Sequence, residues 1–237
     1  MVDLTQQTVV ITGATGHLGQ AVAARFAAAG ARLALVGRDP GRLAAIREGL
    51  GPAVEATTHA LDLLRPEEVS LMIGAVSTRF GRIHALVNLA GGFSMGPAVH
   101  ETTDADWEQM LDINTRTTIN SVRATVPALL TGGGGRIVNC AARAATHGSA
   151  RMAPYCVAKA AIVTLTESLA EELKHQDINV NCVLPGTLDT PPNRAAMPDQ
   201  DPADWVQPEA LADVILFLAS TGARAINGAA IPIYGRG

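Results

Sequence analysis

The chain has 237 residues, a net charge of -4 and no basic block, so its charge pattern does not favour binding to nucleic acid or to an anionic membrane. Hydrophobic residues make up 48% and aromatic residues only 3%, which indicates a core of Ala, Val, Leu and Ile. No uncharged apolar run reaches 18 residues and the first residues lack a signal-peptide pattern, so we expect no membrane association. The three cysteines lack metal-ligand spacing, which predicts reduced thiols, no metal site and a cytoplasmic location.

Short β-branched or apolar runs alternate with helical patterns along the chain. The predicted strands are Thr8–Thr12, Arg32–Val36, Val54–Ala60, Ala85–Asn88, Arg136–Cys140, Ile178–Val183 and Ala230–Tyr234. The predicted helices run from just after Gly19 to Ala29 and over Leu43–Leu50, Pro66–Phe80, Asp104–Leu130, Pro154–Lys174 and Pro208–Ser220. This alternation indicates an α/β fold: a Rossmann-like doubly wound parallel sheet of about seven strands with helices on both faces.

No linker, repeat or change of composition divides the chain, so we expect residues 1–237 to form a single domain. The Pro-rich segment Leu184–Val206 has no clear period. A segment of that length in a compact domain is more often a lid or a binding loop than an idle connection. We therefore expect it to lie near the ligand site.

The connection between the first strand and the first helix is rich in glycine, with the sequence Thr-Gly-Ala-Thr-Gly-His-Leu-Gly over residues 12–19. Glycines let the backbone turn tightly and approach a pyrophosphate, which the N-terminus of the following helix attracts. The spacing is GxxGxxG rather than GxGxxG, so a generic turn is the alternative. The position between a strand and a helix favours a dinucleotide site.

The end of the second strand bears on the choice of cofactor. An acidic residue there would bind the adenosine ribose and repel a 2′-phosphate, but this chain has Gly37 followed by Arg38. A guanidinium can pair with a phosphate through two hydrogen bonds, which favours NADP(H) over NAD(H). The alternatives are that Arg38 is a solvated surface residue or pairs with Asp39.

Tyr155 and Lys159 stand four residues apart at the start of a predicted helix, so their side chains share one face. An ammonium beside a phenol favours the phenolate, which predicts a pKa of Tyr155 below its ordinary value of about 10. Such a pair can exchange a proton near neutral pH. The spacing alone is common in helices, so its meaning depends on the other motifs.

Taken in order, these motifs resemble those of the short-chain dehydrogenase/reductase family over nearly the whole chain. Asn88-Leu89-Ala90-Gly91 resembles the family's Asn-Asn-Ala-Gly motif, and Asp62-Leu63 its adenine-contacting segment. The resemblance implies an NAD(P)-dependent oxidoreductase that acts on a small molecule and forms a homo-tetramer or homo-dimer. The implied catalytic residues are Tyr155, Lys159 and Asn114, and the implied cofactor-binding residues are Gly13, Thr15, Gly16, His17, Leu18, Gly19, Arg38, Asp62, Leu63, Asn88, Ala90, Gly91, Tyr155, Lys159, Pro185, Gly186, Leu188 and Thr190.

Two positions depart from the family pattern. His17 occupies the place of the usual middle glycine, and covering the cofactor or facing solvent is a better interpretation of it than catalysis. Ala142 occupies the place of the catalytic Ser, thirteen residues before Tyr155, so no hydroxyl there can orient a carbonyl oxygen. The dihydropteridine reductases, which are members of the family, also have Ala at this place, and the active-site loops of this chain resemble theirs.

The missing hydroxyl leaves two functional hypotheses. In the first, the chain reduces a carbonyl or an activated quinonoid C=O or C=N group, which needs less support for a developing charge. An ordinary ketone would then need another donor. Thr146, His147 and Ser149 on the following loop are candidates, although a hydrated loop is the favoured interpretation of all three. In the second, the chain binds NADP(H) as a sensor or scaffold with little turnover.

Overall fold

The computed structural model describes residues 2–236. Seven strands form one sheet in the order β3-β2-β1-β4-β5-β6-β7, and every neighbouring pair is parallel. The doubly wound α/β fold predicted from the sequence is confirmed. The strands are β1 Thr8–Thr12, β2 Arg32–Gly37, β3 Ala56–Ala60, β4 Ala85–Asn88, β5 Gly135–Cys140, β6 Ile178–Pro185 and β7 Ala230–Ile233.

Helices cover both faces of the sheet, and apolar side chains from each layer pack against it. One layer places Phe26, Leu43 and Ile215 against the strands, and the other uses Val69, Leu129 and Leu173. Such two-sided cover suits a parallel sheet, whose central strands are apolar on both faces. The helices are α1 His17–Ala28, α2 Pro40–Gly49, α3 Pro66–Phe80, α4 Asp104–Met110, α5 Thr117–Thr131, α6 Ala153–Leu173, α7 Pro191–Ala196 and α8 Pro208–Leu218.

The long predicted helix from Asp104 is interrupted. Its N-cap is Thr103, whose hydroxyl accepts from the Asp106 backbone N–H while the Asp106 carboxylate accepts from the Thr103 N–H. Between α4 and α5 the backbone widens into a π-helical segment, Leu111–Arg116. Segments of this kind are rare and often lie at functional sites.

Two other predictions need correction. Helix α1 begins at His17, before the third glycine of the loop, because Gly19 packs on the backbone of Gly13 and Ala14 and does not mark the start of the helix. The segment Leu184–Val206 is not irregular throughout. It contains α7, whose N-cap Thr190 accepts from the Asn193 N–H.

The strand order reverses direction between β1 and β4, and the carboxyl ends of these strands border a crevice. Open parallel sheets bind ligands at such a switch point. The loop after β1 and the loop after β4 touch there, since a Cβ added at Gly13 would lie 2.7 Å from the Ala90 nitrogen. The fold therefore brings the two glycine-containing motifs together.

Candidate active site

The loop after β1 is shaped by glycine. Gly13 has a φ of 68°, in the left-handed region that glycine adopts without strain, and Ala90 leaves no room for a side chain there. Gly16 caps α1 without a side-chain hydrogen bond, and the first turn of α1 carries no acidic residue. The free N–H groups and the positive end of the helix dipole therefore favour an anion. This cradle fits the diphosphate of a dinucleotide.

Arg38 is exposed at the end of β2. Asp39 does not pair with it, because the Asp39 carboxylate accepts from the Arg42 backbone N–H and caps α2. The Arg42 side chain in turn reaches back to the glycine loop, where Nη2 donates to the main-chain carbonyl oxygen of Thr15 at 2.7 Å. The Arg42 guanidinium thus lies beside the loop, and sequence reasoning missed it. The signal for it was Asp39-Pro40, which places Arg42 in the first turn of α2.

Other residues implied by the resemblance have side chains engaged within the protein. Asn88 is 2% exposed, and its amide donates to Asn139 Oδ1 at 2.9 Å. Leu63 is buried in the core, and its carbonyl accepts from Asn120. The Asp62 carboxylate accepts from the Leu64 N–H at 3.0 Å. These residues hold the frame of the crevice.

Tyr155 and Lys159 lie on the first two turns of α6. Lys159 is 6% exposed, and its ammonium donates to the carbonyl of Cys140 at the end of β5 at 3.0 Å. A Cβ added at Gly91 would lie 3.3 Å from Lys159 Nζ, so the loop after β4 brings its backbone directly onto the lysine. The Tyr155 ring stands edge-to-face with Phe93, with 5.0 Å between ring centroids.

The predicted lowering of the pKa of Tyr155 is wrong for this arrangement. Burial raises the pKa of Tyr155 above its ordinary value, and the neighbouring thiols of Cys140 and Cys156 act in the same direction. Burial lowers the pKa of Lys159. The Lys159 charge is directed at the Cys140 carbonyl, and it does not outweigh the cost of burying a phenolate. Tyr155 is therefore a protonated acid through the neutral pH range.

Asn114 lies in the π-helical segment and is 1% exposed. Its Oδ1 accepts from the Gly92 N–H at 3.2 Å, and its Nδ2 donates to the Gly92 carbonyl at 3.0 Å. A Cβ at Gly91 would come within 2.6 Å of Asn114 Oδ1. The Asn114 side chain thus binds the loop after β4 through both backbone groups of Gly92 and lies close to Lys159.

Ala142 is buried in extended backbone just after β5. The nearby hydroxyl of Thr146 donates to the Arg143 carbonyl at 2.8 Å and contacts His147 Nδ1 at 3.0 Å. Both Thr146 and His147 are exposed. Their polar groups are engaged with each other on the loop, which favours the interpretation of a hydrated loop over that of substitute donors.

The segment after β6 is fixed at its base. The Gly186 N–H donates to Ile233 of β7, and Leu188 forms a parallel bridge with Val206. The Asp189 carboxylate accepts from both Arg194 and Gln207, which holds its pKa at about 2. This cluster ties the segment together, and sequence reasoning missed it because Gln207 lies eighteen residues from Asp189.

A pocket of about 300 Å³ lies between this segment and the end of β7. The Arg143 guanidinium stacks over the Tyr234 ring at 4.9 Å from the centroid on one side of it. The pocket lies beside the loop after β6, because the Tyr234 backbone packs on Gly186. Its lining residues are Arg143, Thr187, Gln200, Asp201, Asp204, Trp205 and Tyr234.

None of the helices within the described residues is long and apolar enough to cross a membrane. Within residues 2–236, no group of three or more His, Cys, Asp or Glu residues could hold a metal ion.

Comparison with known proteins gave consistent matches. The family model described as short chain dehydrogenase matches residues 7–201. The D-threitol dehydrogenase of Mycolicibacterium smegmatis is 33% identical in an alignment that covers 98% of this chain and 93% of that protein. The L-sorbose reductase of Gluconobacter frateurii, solved with NADPH and L-sorbose, is 29% identical with a TM-score of 0.90 over 99% of this chain and 97% of its own. A xylitol dehydrogenase solved with NAD+ is 27% identical, also with a TM-score of 0.90, over 98% and 99%.

Proposed function

Because this chain belongs to the short-chain dehydrogenase/reductase family and is an oxidoreductase of that family, we propose that it reduces an activated C=O or C=N group with NADP(H), with Tyr155 as the proton donor. The observation that carries the proposal is the convergence of Tyr155, Lys159 and Asn114 on the glycine loop after β4. The glycines and the N-terminus of α1 would hold the diphosphate. When bound, the nicotinamide supplies the hydride.

The side chains of this chain supply orientation and the proton. Tyr155 gives its phenolic proton to the substrate oxygen or nitrogen as the substrate carbon gains the hydride, so the product is an alcohol or an amine. Lys159 would hold the nicotinamide ribose and stabilise the phenolate left on Tyr155. Asn114 would hold a water that returns a proton to Tyr155 by way of Lys159. Leu184–Val206 would close over the substrate.

The preference for NADP(H) rests on Arg38, which follows β2, and on Arg42, which reaches the glycine loop, while the nearby Asp39 carboxylate caps α2 through Oδ1. The solved relatives hold either NADPH or NAD+, so the choice depends on this chain's own residues. Arg38→Gln should raise KM for NADPH about 10-fold, because one charged hydrogen-bonded pair contributes about 1.5–3 kcal/mol. It should leave KM for NADH within about 2-fold. A wild-type preference for NADH would contradict the proposal.

Ala142 sets the substrate class within this proposal. Without a hydroxyl beside Tyr155, the site suits a conjugated group that already accepts hydride readily. The exposed ring of Phe93, edge-to-face with Tyr155, offers an apolar surface on which a planar substrate can rest. The relatives named for D-threitol and L-sorbose make polyols and ketoses the proper comparison substrates.

The deciding experiment is steady-state oxidation of NADPH and NADH over quinones, quinonoid pterins, simple ketones and ketoses. Tyr155→Phe should lower kcat at least 100-fold with little change in the Kd of NADPH, because it removes the acid and keeps the ring. Turnover that survives this substitution would exclude Tyr155 as the donor.

A second candidate is an NADP(H)-binding sensor or scaffold with little turnover. Ala142 favours it, because the substitution removes one of the usual catalytic groups and leaves the cofactor cradle intact. Tight NADPH binding without turnover of any acceptor would support this function.

A further inference from the structure

A one-way chain of buried side-chain hydrogen bonds crosses the sheet beneath the site. The Thr12 hydroxyl donates to Asn88 Oδ1 at 3.4 Å, and Asn88 Nδ2 donates to Asn139 Oδ1 at 2.9 Å. Asn139 Nδ2 then donates to the Thr166 hydroxyl at 2.9 Å. The Thr166 hydroxyl donates its only proton to the Ile162 carbonyl at 2.8 Å, so it can only accept a hydrogen bond from Asn139.

This chain joins the two halves of the site. At one end, Thr12 directly precedes the glycine loop, and its hydroxyl oxygen accepts from the Leu89 and Ala90 N–H groups. At the other end, Thr166 lies on α6, two turns after Lys159. All four side chains are at most 2% exposed, so water cannot replace a lost partner without entering the core.

Helix α6 is thereby attached to β5 at two points on one face. Lys159 donates to the Cys140 carbonyl, and Thr166 accepts from the side chain of the preceding residue, Asn139. Seven residues make almost two full turns, so both contacts lie on the same side of the helix. No side chain caps the N-terminus of α6, where Tyr155 lies. The Thr166 contact therefore limits rotation of the helix about its axis.

We propose that Thr166 and Asn139 are positioning residues, which fix the rotation of α6 and so aim Lys159 and Tyr155 at the nicotinamide half of the cofactor. The proposal rests on the proposed function for the identity of that ligand. It goes beyond that function because neither residue touches the cleft. The adenosine half of the crevice is shaped by the loops after β1 and β2, which lie at the far end of the hydrogen-bond chain from α6.

Thr166→Val tests the proposal, because it keeps the shape of the side chain and removes the acceptor of Asn139 Nδ2. Thr166→Ser restores the hydroxyl. The matched control is Thr125→Val on α5. Thr125 is also fully buried and donates to the carbonyl four residues earlier, that of Ser121, at 2.7 Å, but α5 does not carry Tyr155.

Thr166→Val should lower kcat at least 10-fold, while Thr166→Ser and Thr125→Val stay within about 3-fold of wild type. A kcat for Thr166→Val no lower than that of Thr125→Val would overturn the proposal. Equal losses in the Ser and Val variants would overturn it as well. If Thr166→Val does not fold, Thr166→Cys replaces it, and its weaker acceptor should give an intermediate kcat.

A binding measurement separates this proposal from the proposed function, because it needs no turnover. The ligands are the nicotinamide dinucleotide that wild type binds more tightly and the matching adenosine fragment, 2′,5′-ADP or ADP. Thr166→Val should raise the Kd of the dinucleotide at least 5-fold and the Kd of the fragment less than 2-fold. Equal weakening of both would show a general structural role and overturn the proposal even if Tyr155→Phe abolished turnover.

Discussion

At the scale of single residues, the site is governed by what each side chain can bond to. Ala142 has no donor to offer, and the neighbouring Thr146 and His147 are engaged with each other. Lys159 has a main-chain partner, the Cys140 carbonyl, which no sequence pattern reveals. The placement of Tyr155 and Lys159 on the first turns of one helix was predictable from their spacing, but the direction of the Tyr155 pKa was not. It depends on burial, which only the packed structure defines.

Restoring the missing hydroxyl should widen the range of substrates. By the family resemblance, Ala142→Ser would supply the missing donor to the substrate oxygen, and one such donor is worth on the order of 100-fold when well placed. We expect kcat/KM for a simple ketone to rise at least 10-fold and that for a quinonoid acceptor to change less than 3-fold. Ala141→Ser is the control, because the Ala141 side chain packs in an apolar cluster with Ile162 and Leu184. Equal effects of the two substitutions, or no gain with the ketone, would contradict the prediction.

Lys159 should lower the thermal stability of the protein while it supports catalysis. Its ammonium is buried with one main-chain acceptor, and the lowered pKa means that the folded protein disfavours the charged form. Below the folded pKa the charge is buried at a cost, so Lys159→Met should raise Tm by about 2–4 °C, equivalent to about 1 kcal/mol. It should also lower kcat on the order of 100-fold. The exposed Lys174→Met should change neither quantity, and a lower Tm for Lys159→Met would show that the bond to Cys140 outweighs the burial.

At the scale of elements, the strands and most helices follow from local patterns, whereas the departures follow from tertiary contacts. Asp104–Leu130 is helical throughout by pattern, yet the π-helical segment Leu111–Arg116 interrupts it where Asn114 bonds to both backbone groups of Gly92. The closure of Leu184–Val206 depends on Asp189 meeting Gln207, eighteen residues away. A sequence pattern within one element contains no signal for either contact.

The Asp189 cluster should control how often the segment Leu184–Val206 opens. Asp189→Asn removes the charge that Arg194 and Gln207 share, so limited proteolysis between residues 190 and 205 should speed up several-fold and KM should rise. The exposed Asp199→Asn, in the same segment, should leave the proteolysis rate and KM unchanged.

Because the pKa of Asp189 lies at about 2, below its ordinary 3.8, the stabilisation that the Asp189 carboxylate gives is complete above pH 4 and is lost as the pH falls toward 2. Wild-type opening, measured by hydrogen exchange and corrected for the intrinsic rate, should therefore be equal at pH 5 and pH 8. An Asp189→Asn protein cleaved no faster than wild type would refute this role.

At the scale of the whole molecule, the alternation of strands and helices was enough to predict the sheet and its two helical layers, because a parallel sheet needs cover on both faces. The crevice followed from the same logic, since Gly13 and Gly91 stand after strands that flank the reversal of order. What the pattern could not supply was the contact of Arg42 with Thr15 or the bond from Asn139 to Thr166. Such side-chain pairs depend on how the layers are rotated against the sheet.

The assembly of the molecule can be tested through its exposed apolar side chains. Val157 on α6 and Phe217 on α8 are 47% and 41% exposed, and the family resemblance implies self-association through these helices. A buried unpaired carboxylate is costly, so Val157→Glu and Phe217→Glu should each disrupt one contact between subunits. If the wild type is a tetramer, sedimentation velocity should show that either variant splits it into dimers. If the wild type is a dimer, one of the two variants should split it into monomers. Leu71→Glu on α3, where Leu71 is 75% exposed, is the control and should leave the mass unchanged. A monomeric wild type, or an assembly broken equally by all three substitutions, would contradict association through α6 and α8.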